Sequence, residues 1–360
     1  MRHSIQSLMK QFGANTVGGP GAVRALIHCQ IVAMERRMAQ NSKPFFDIQV
    51  SDGGGVIKLK VWSNAAAFPQ CETLTANGAS GVGVFVELDG GFKNGDFGVE
   101  SNDFRILLLT DAQVEALLEG TPEQIENIAG KWAKIVSLVD SMECPVMKEL
   151  CKRFLAKYEE PFKRAGAARG NHHARRGGLV EHTATMLGAV DSVCFNYRLM
   201  RPEITLNRSL LLAGTLLHDC GKMVENQFEK RGFEMPFSTR AELYGHIGIG
   251  VEIVKGLARA SCAEGLAKPT EALVVDAAKF EYAVDCLCHM ILAHHGQLDF
   301  GSPVEPKFPE VAILHYCDQI DAKLEMMQTA YMSAKEIAPG VFERAWPMKV
   351  NLVRAAKEGL

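Results

Sequence analysis

From Ala25 to about Leu109 apolar and polar residues alternate with a period of two. Phe46, Ile48 and Val50 alternate with Asp47 and Gln49, and Ile57, Leu59 and Val61 with Lys58 and Lys60, which is the pattern of strands with one buried face. The Asp52-Gly53-Gly54-Gly55 segment between them predicts a turn, so the two runs read as an antiparallel hairpin. Further strand-like runs at Val82–Leu88 and Phe97–Leu109 are separated by expected turns at Gly90-Gly91 and Lys93-Asn94-Gly95-Asp96. Roughly five strands predict a small barrel. Residues 1–24, with Gly18-Gly19-Pro20-Gly21 near their end, carry no sustained periodicity and are expected to be a flexible leader.

After Thr110 the pattern becomes helical. Thr121-Pro122-Glu123-Gln124 reads as an N-cap followed by proline at the first helical position. Apolar residues then recur at three and four through Met142–Ala165, Gly178–Tyr197, Arg208–Met223, Gly245–Ala260, Lys279–His295 and Pro309–Met332. The chain is therefore expected to be a multidomain protein of α and β type: a leader (1–24), a β-barrel domain (25–110) and an all-α domain (111–360).

The 360 residues are 47% hydrophobic and 22% charged, which is ordinary for a folded protein. A net charge of -3 gives no global basic footprint, so nucleic-acid binding would have to come from local patches. The ten cysteines form no C-x-x-C pair, and neither a secretory segment nor a bilayer-length apolar run is present. Buried thiols in a reducing cytoplasm are the expectation, with no membrane partner.

The candidate chemistry lies in the helical half. His182, the doublet His218-Asp219, His246, the doublet His294-His295 and Asp318 stand in or beside apolar runs such as Leu211–Leu217. An unpartnered polar group in such a core costs roughly 2–7 kcal/mol. Any one of these histidines alone reads as a satisfied core residue or a cap. Together they read as imidazole and carboxylate ligands that several helices deliver to borderline divalent cations.

The order His182, His218-Asp219, Asp318 resembles the HD-domain metal-dependent phosphohydrolases, and the words Gly177–Thr183, Leu216–Lys222 and Ala293–Gly296 carry the likeness. The resemblance implies a first metal on His182, His218, Asp219 and Asp318. It further implies a second metal on His246, His294 and His295, with Asp219 bridging. The words Asn171-His172-His173, Gly296–Val304 and Ile313–Lys323 resemble the YhaM-type 3'-5' exoribonucleases, which pair an OB-fold with an HD domain. Pro44–Ile48 and Ile57–Trp62 are similar to the OB part. Two divalent ions would polarise a phosphoryl oxygen, lower the pKa of water and stabilise the leaving oxygen. Manganese is the expected metal, with iron, nickel or magnesium as alternatives.

Around that centre, Lys222 reads as a contact to a phosphate oxygen or as an exposed lysine at a helix C-terminus, and Asp321, one turn from Asp318, as a group that orients a ligand or the water or as a plain surface carboxylate. Glu181, beside His182, reads equally as such an orienting group or as a solvated helix charge. The basic segment Lys148–Arg176, ending near His172, His173 and Arg175, reads either as a solvated helix face or as a phosphate track. In the barrel, Lys58, Lys60 and Trp62 share the outward parity of the hairpin with Phe45, Asp47 and Gln49, a face on which OB-folds stack bases, packing of Trp62 against the helical domain being the alternative. The expected substrate is single-stranded RNA, with single-stranded DNA as a second candidate and assembly into a homo-oligomer left open. Two rivals stand beside this reading: an HD phosphohydrolase acting on a small nucleotide or cyclic dinucleotide, and a non-catalytic nucleic-acid-binding protein with a structural metal.

Overall fold

The computed structural model describes residues 3–14, 22–95, 98–101, 103–170, 173–261, 277–346 and 348–356. The chain divides into two compact units. One comprises the residues up to Pro122 together with Glu229–Glu234 and the residues from Met326 on; the other comprises Glu123–Phe228 and Met235–Glu325.

The first unit opens with helix α1 (Ile5–Ala14) and continues with β1 (Val23–Met38), β2 (Pro44–Ser51), β3 (Val56–Trp62), α2 (Phe68–Leu74), β4 (Phe85–Gly95), β5 (Gly98–Glu100) and β6 (Arg105–Leu108). The strands are antiparallel in the order β3-β2-β1-β4-β5, with β6 on β4. Among the described residues no ladder joins β3 to β5, so the path of paired strands is not closed by hydrogen bonds. A register shift between Ile31 and Ala33 lets the long β1 serve both β2 and β4.

The predicted hairpin is β2–β3. Phe46, Ile48 and Val50 pair with Val61, Leu59 and Ile57, and all six are buried. Gly90-Gly91 is not a turn: both residues lie within β4, opposite Ala25 and Arg24 of β1. A Cβ on Gly90 would lie 2.5 Å from the Phe104 Cα, so the glycine there admits a close backbone approach within the sheet.

The expected leader also differs. Over α1, Ile5, Leu8 and Phe12 recur at three and four and are buried in the core of the strand unit. Ser4 Oγ accepts from the Ser7 N–H at 3.1 Å, and Asp52 Oδ2 accepts from the Ile5 N–H at 2.7 Å, so free donors of the first turn are satisfied. The other oxygen of Asp52 accepts from the Gly54 and Gly55 N–H groups, both at 3.0 Å. One buried carboxylate thus closes the hairpin turn and seats the helix. Burial pushes its pKa up, against these backbone hydrogen bonds.

The helices that follow are α3 (Asp111–Glu119), α4 (Pro122–Asp140), α5 (Pro145–Arg164), α6 (Gly178–Met200), α7 (Arg208–Leu217), α8 (Lys222–Glu225), α9 (Thr239–Ser261), α10 (Ala277–Ala293) and α11 (Pro309–Ser333). Helix α7 is buried from Ser209 to Leu217, which makes it the central rod of the helical unit. Three short strands, β7 (Glu336–Ala338), β8 (Val341–Phe342) and β9 (Leu352–Val353), form a small sheet over a satellite core of Ala330, Phe342 and Leu352. Residues from Met326 on thus group with the strand unit, not with the helical domain expected over 111–360. Strands of two or three residues are too short to register as periodicity. Among the described residues no helix is long and apolar enough to cross a membrane.

Replacing Asp52 by alanine should leave buried donors unsatisfied and cost about 1–3 kcal/mol. Urea denaturation should show a lowered midpoint with an unchanged slope, and an unchanged midpoint would deny the carboxylate this role.

Candidate metal centre

Helix α7 ends in the middle of its core, and the next two side chains, His218 at 0% and Asp219 at 2% exposure, have nowhere polar to go except toward each other and their neighbours. The chain then turns at Gly221, where a Cβ would fall 1.9 Å from the His246 carbonyl oxygen. Only glycine allows that contact, which brings the His218-Asp219 turn against His246. Gly245, with φ +61°, breaks the α9 helix, so His246 begins its second segment. His182 comes from the second turn of α6, His294 and His295 follow the end of α10, and Asp318 and Asp321 lie one turn apart on α11.

Asp219 is the hub. Its Oδ2 lies 3.6 Å from His182 Nε2, 3.3 Å from His218 Nε2 and 2.6 Å from Lys222 Nζ. Its Oδ1 lies 3.7 Å from His246 Nε2 and 3.6 Å from His294 Nε2. Asp318 Oδ1 is 3.4 Å from His182 Nε2, and His295 packs on His294 and His246 with ring centroids at 4.4 and 5.4 Å.

The opposite nitrogen of each ring is occupied. His218 Nδ1 donates to the Thr215 carbonyl at 2.7 Å, His294 Nδ1 to the Ile291 carbonyl at 2.7 Å and His295 Nδ1 to the Phe300 carbonyl at 2.9 Å. His182 Nδ1 sits 2.7 Å from Asp321 Oδ2, and His246 Nδ1 sits 3.0 Å from Glu225 Oε2. With Nδ1 assigned as the donor by these partners, the neutral rings present Nε2 lone pairs to one another and to Asp219. His182 Nε2 and His218 Nε2 are only 3.3 Å apart. Two lone pairs at that distance require a proton or a cation between them. Asp219 Oδ1 and His246 Nε2 are buried without a hydrogen-bond partner among the described residues. These donor sets fit two divalent ions, one on His182, His218, Asp219 and Asp318, the other on Asp219, His246, His294 and His295.

Electrostatics agree with this division. Burial lowers the His294 pKa far below the usual histidine range, with His218, His295 and His246 adding to the effect against Asp219. His295 is lowered by burial and His246. Both rings are thus held neutral, as ligands must be. Burial alone would raise the Asp219 carboxyl, but Lys222 and His218 hold it well below the carboxylate range. At His218 burial acts downward and is outweighed by the neighbouring Asp219 carboxylate, which raises the ring's pKa.

A second cluster stands behind His182. Asp321 Oδ2 also lies 3.1 Å from His173 Nε2, and His173 Nδ1 lies 3.5 Å from Glu181 Oε2. Arg175 bridges Glu181 at 2.5 Å and Glu325 at 2.6 Å. His173, His182 and Asp321 are close enough to hold an ion. The carboxylate oxygen between two ring nitrogens is instead the geometry of a hydrogen-bonded network that fixes His182. Burial opposes protonation of His173, but Asp321 and Glu181 prevail and raise it to about 9.

The structure brings the candidate groups expected from the sequence together around Asp219, with Asp321 behind His182, whereas Glu181 meets His173 and Arg175 and no candidate ligand. The sequence places His173 and Arg175 on the substrate, whereas the structure gives both partners inside the protein. His172 lies outside the described residues. Much of the basic segment is likewise engaged: Lys152 with Asp140, Arg153 with Glu149, Lys163 with Glu159, Arg164 with the Phe228 carbonyl. Glu225 and Glu325 were missed; Glu225, three residues after Lys222, carried no pattern of its own. In the strand unit Lys58, Lys60 and Trp62 pair across β2–β3 with Gln49, Asp47 and Phe45. The Trp62 and Phe45 rings lie 4.9 Å apart, and Arg37 Nη1 is 3.6 Å from Asp47.

Comparison with known proteins places this centre in a family. Residues 180–323, which hold every candidate ligand named above, match the HD domain. The 3'-5' exoribonuclease YhaM of Geobacillus sp. (strain WCH70) is 30% identical over 328 residues, covering 90% of this chain and 89% of its own length. The 3'-5' exoribonuclease YhaM of Oceanobacillus iheyensis is 30% identical over 317 residues, covering 87% of this chain and 88% of its own length. An HD domain that carries the whole ligand set, and relatives aligned along nearly the full length, lead to one conclusion: the chain belongs to the YhaM family of 3'-5' exoribonucleases.

Proposed function

We propose that this protein is a divalent-metal-dependent 3'-5' exoribonuclease that hydrolyses single-stranded RNA, and that single-stranded DNA is a weaker substrate. The observation that carries the reading is the Asp219 carboxylate, whose two oxygens face separate sets of imidazoles. His182, His218 and Asp318 would hold one ion with Asp219 Oδ2, and His246, His294 and His295 the other with Oδ1. Such ions supply Lewis acidity to the phosphoryl group, lower the pKa of water and neutralise the leaving oxygen. Manganese suits the mixed imidazole and carboxylate set, and reconstitution with iron, nickel and magnesium tests that choice.

The chain's own residues then position and neutralise. Lys222, whose ammonium sits 2.6 Å from Asp219 Oδ2, is within one side-chain swing of a phosphate held at the centre and supplies a point charge to a non-bridging oxygen. Asp321 fixes the His182 ring, with His173 behind it. In the strand unit, Lys58 and Lys60 offer charge to the RNA backbone and Trp62, seated on Phe45, a face for base stacking. The nine cysteines described are free thiols, which suits a cytoplasmic enzyme.

The direct test incubates the purified protein with end-labelled single-stranded RNA, single-stranded DNA and cyclic dinucleotides, with and without added Mn2+. Stepwise shortening of 5'-labelled RNA that depends on metal is expected. Hydrolysis of the cyclic dinucleotides alone would favour a small-nucleotide phosphohydrolase, and binding without cleavage a structural metal.

Asp219→Ala should abolish hydrolysis and lower metal content while circular dichroism keeps the helical signal; near-wild-type turnover would remove Asp219 from the centre. His182→Ala should damage the first position, whereas His246→Ala or His294→Ala should leave one ion bound. Elemental analysis that returned equal stoichiometry for all three variants would overturn that division of ligands.

Binding and cleavage should be separable. Trp62→Ala should remove about 1–3 kcal/mol of stacking, and neutralising Lys58 and Lys60 should flatten the salt dependence of RNA binding. Processing of long RNA should weaken, while hydrolysis of bis-p-nitrophenyl phosphate persists. Equal degradation of long RNA by wild type and the triple variant would deny this face its role.

A further inference from the structure

The histidines around Asp219 are held in two different ways. His218 and His294 stand at the ends of α7 and α10, and each donates Nδ1–H to a carbonyl three residues upstream, Thr215 and Ile291. The last turn of a helix has carbonyls to spare, so those rings are fixed by their own helices. His246 has no such carbonyl, because Gly245 before it is non-helical and the ring stands at the start of a helical segment. Its Nδ1 meets a carboxylate instead, Glu225 Oε2 at 3.0 Å.

We propose that Glu225 is the positioning residue of the second ion position: it holds the His246 ring with Nε2 facing Asp219 Oδ1 and makes that nitrogen a stronger donor. The proposal rests on the two-ion reading above and extends it to a residue outside the ligand set. Glu225 is itself anchored. Its carbonyl accepts from Arg169 Nη2 at 2.7 Å, Arg169 Nη1 donates to the Met235 carbonyl at 2.7 Å, and the Phe237 ring covers the guanidinium at 4.1 Å. A single guanidinium thereby ties the end of α8, which carries Glu225, to the chain leading into α9, which carries His246. The two atoms that the arrangement aims at each other, His246 Nε2 and Asp219 Oδ1, are both buried and have no hydrogen-bond partner among the described residues. At the first position Asp321 stands behind His182 in the same way, so each ion position has one carboxylate-held histidine. A carboxylate behind a ligating imidazole fixes its tautomer and raises its basicity, and losing it weakens metal binding about 10- to 100-fold.

The test titrates metal-free full-length protein with Mn2+ by calorimetry and records the thermal melt of the metal-free forms. Wild type should show two binding events, one of which His294→Ala removes. Glu225→Gln, isosteric and neutral, should melt with wild type and weaken that same event by about 10-fold or more, leaving the other unchanged. Glu225→Ala should weaken it further. Wild-type affinity at that event in a Glu225→Gln protein that melts normally overturns the proposal, and so does equal weakening of both events. A wild-type protein that takes up a single ion overturns the two-ion reading itself, an outcome distinct from failure of Glu225 alone.

Discussion

An ionised carboxylate taken out of water costs several kcal/mol unless it is paired, and Asp219 sits at 2% exposure in the centre of the helical unit. It stays charged because Lys222 and a ring of imidazoles surround it. Those imidazoles are themselves crowded: lone pairs of His182 and His218 meet at 3.3 Å, and two further buried atoms have no hydrogen bond. Carboxylate and rings each relieve the other only in part. Divalent cations complete the arrangement, since they replace the missing donors and separate the facing lone pairs. The same demand explains the glycine at 221, where any side chain would drive His246 away from Asp219.

Metal binding and ring orientation are solved by different parts of the chain. The inward nitrogens belong to residues on α6 and α9 and at the ends of α7 and α10, and α11 adds the Asp318 carboxylate, so the centre exists only when the helical unit is folded. The outward nitrogens are fixed by main-chain carbonyls at helix ends and by carboxylates elsewhere. Where a histidine stands at the end of a helix its own backbone suffices. Where it stands in the first turns, as His182 and His246 do, a second acid is supplied from another element. Electrostatic support of this kind is distributed in sequence, with Asp321 more than a hundred residues from the ring it holds.

That distribution decides what the sequence could convey. His182, His218, Asp219, His294, His295 and Asp318 were legible because polar groups inside apolar helical runs need a ligand or a partner, and because the doublets and their flanking words match a family. The β2–β3 hairpin was legible from strict alternation around Asp52–Gly55, and the second segment of α9, which begins at His246, from Gly245. Long-range pairings were not. His173 and Arg175 looked like groups for substrate because their basic character is visible in the sequence, while Glu181, Asp321 and Glu325, which engage them, lie far along the chain or carry no pattern. The α1 stripe of Ile5, Leu8 and Phe12 is too short to stand out, and Gly90-Gly91 reads as a turn until Phe104 is seen packed against it. The strands of two or three residues after Met326 left no periodic trace at all.

Asp219 is proposed to sit between two cations, each with its own set of imidazoles. Anomalous diffraction at the manganese edge from crystals of the wild-type protein grown with Mn2+ tests it most directly. Two peaks are predicted, on opposite sides of the Asp219 carboxylate, one bonded to His182, His218 and Asp318 and the other to His246 and the His294-His295 pair. A lone peak, or density at the His173–Asp321 network with none on Asp219, would contradict the account.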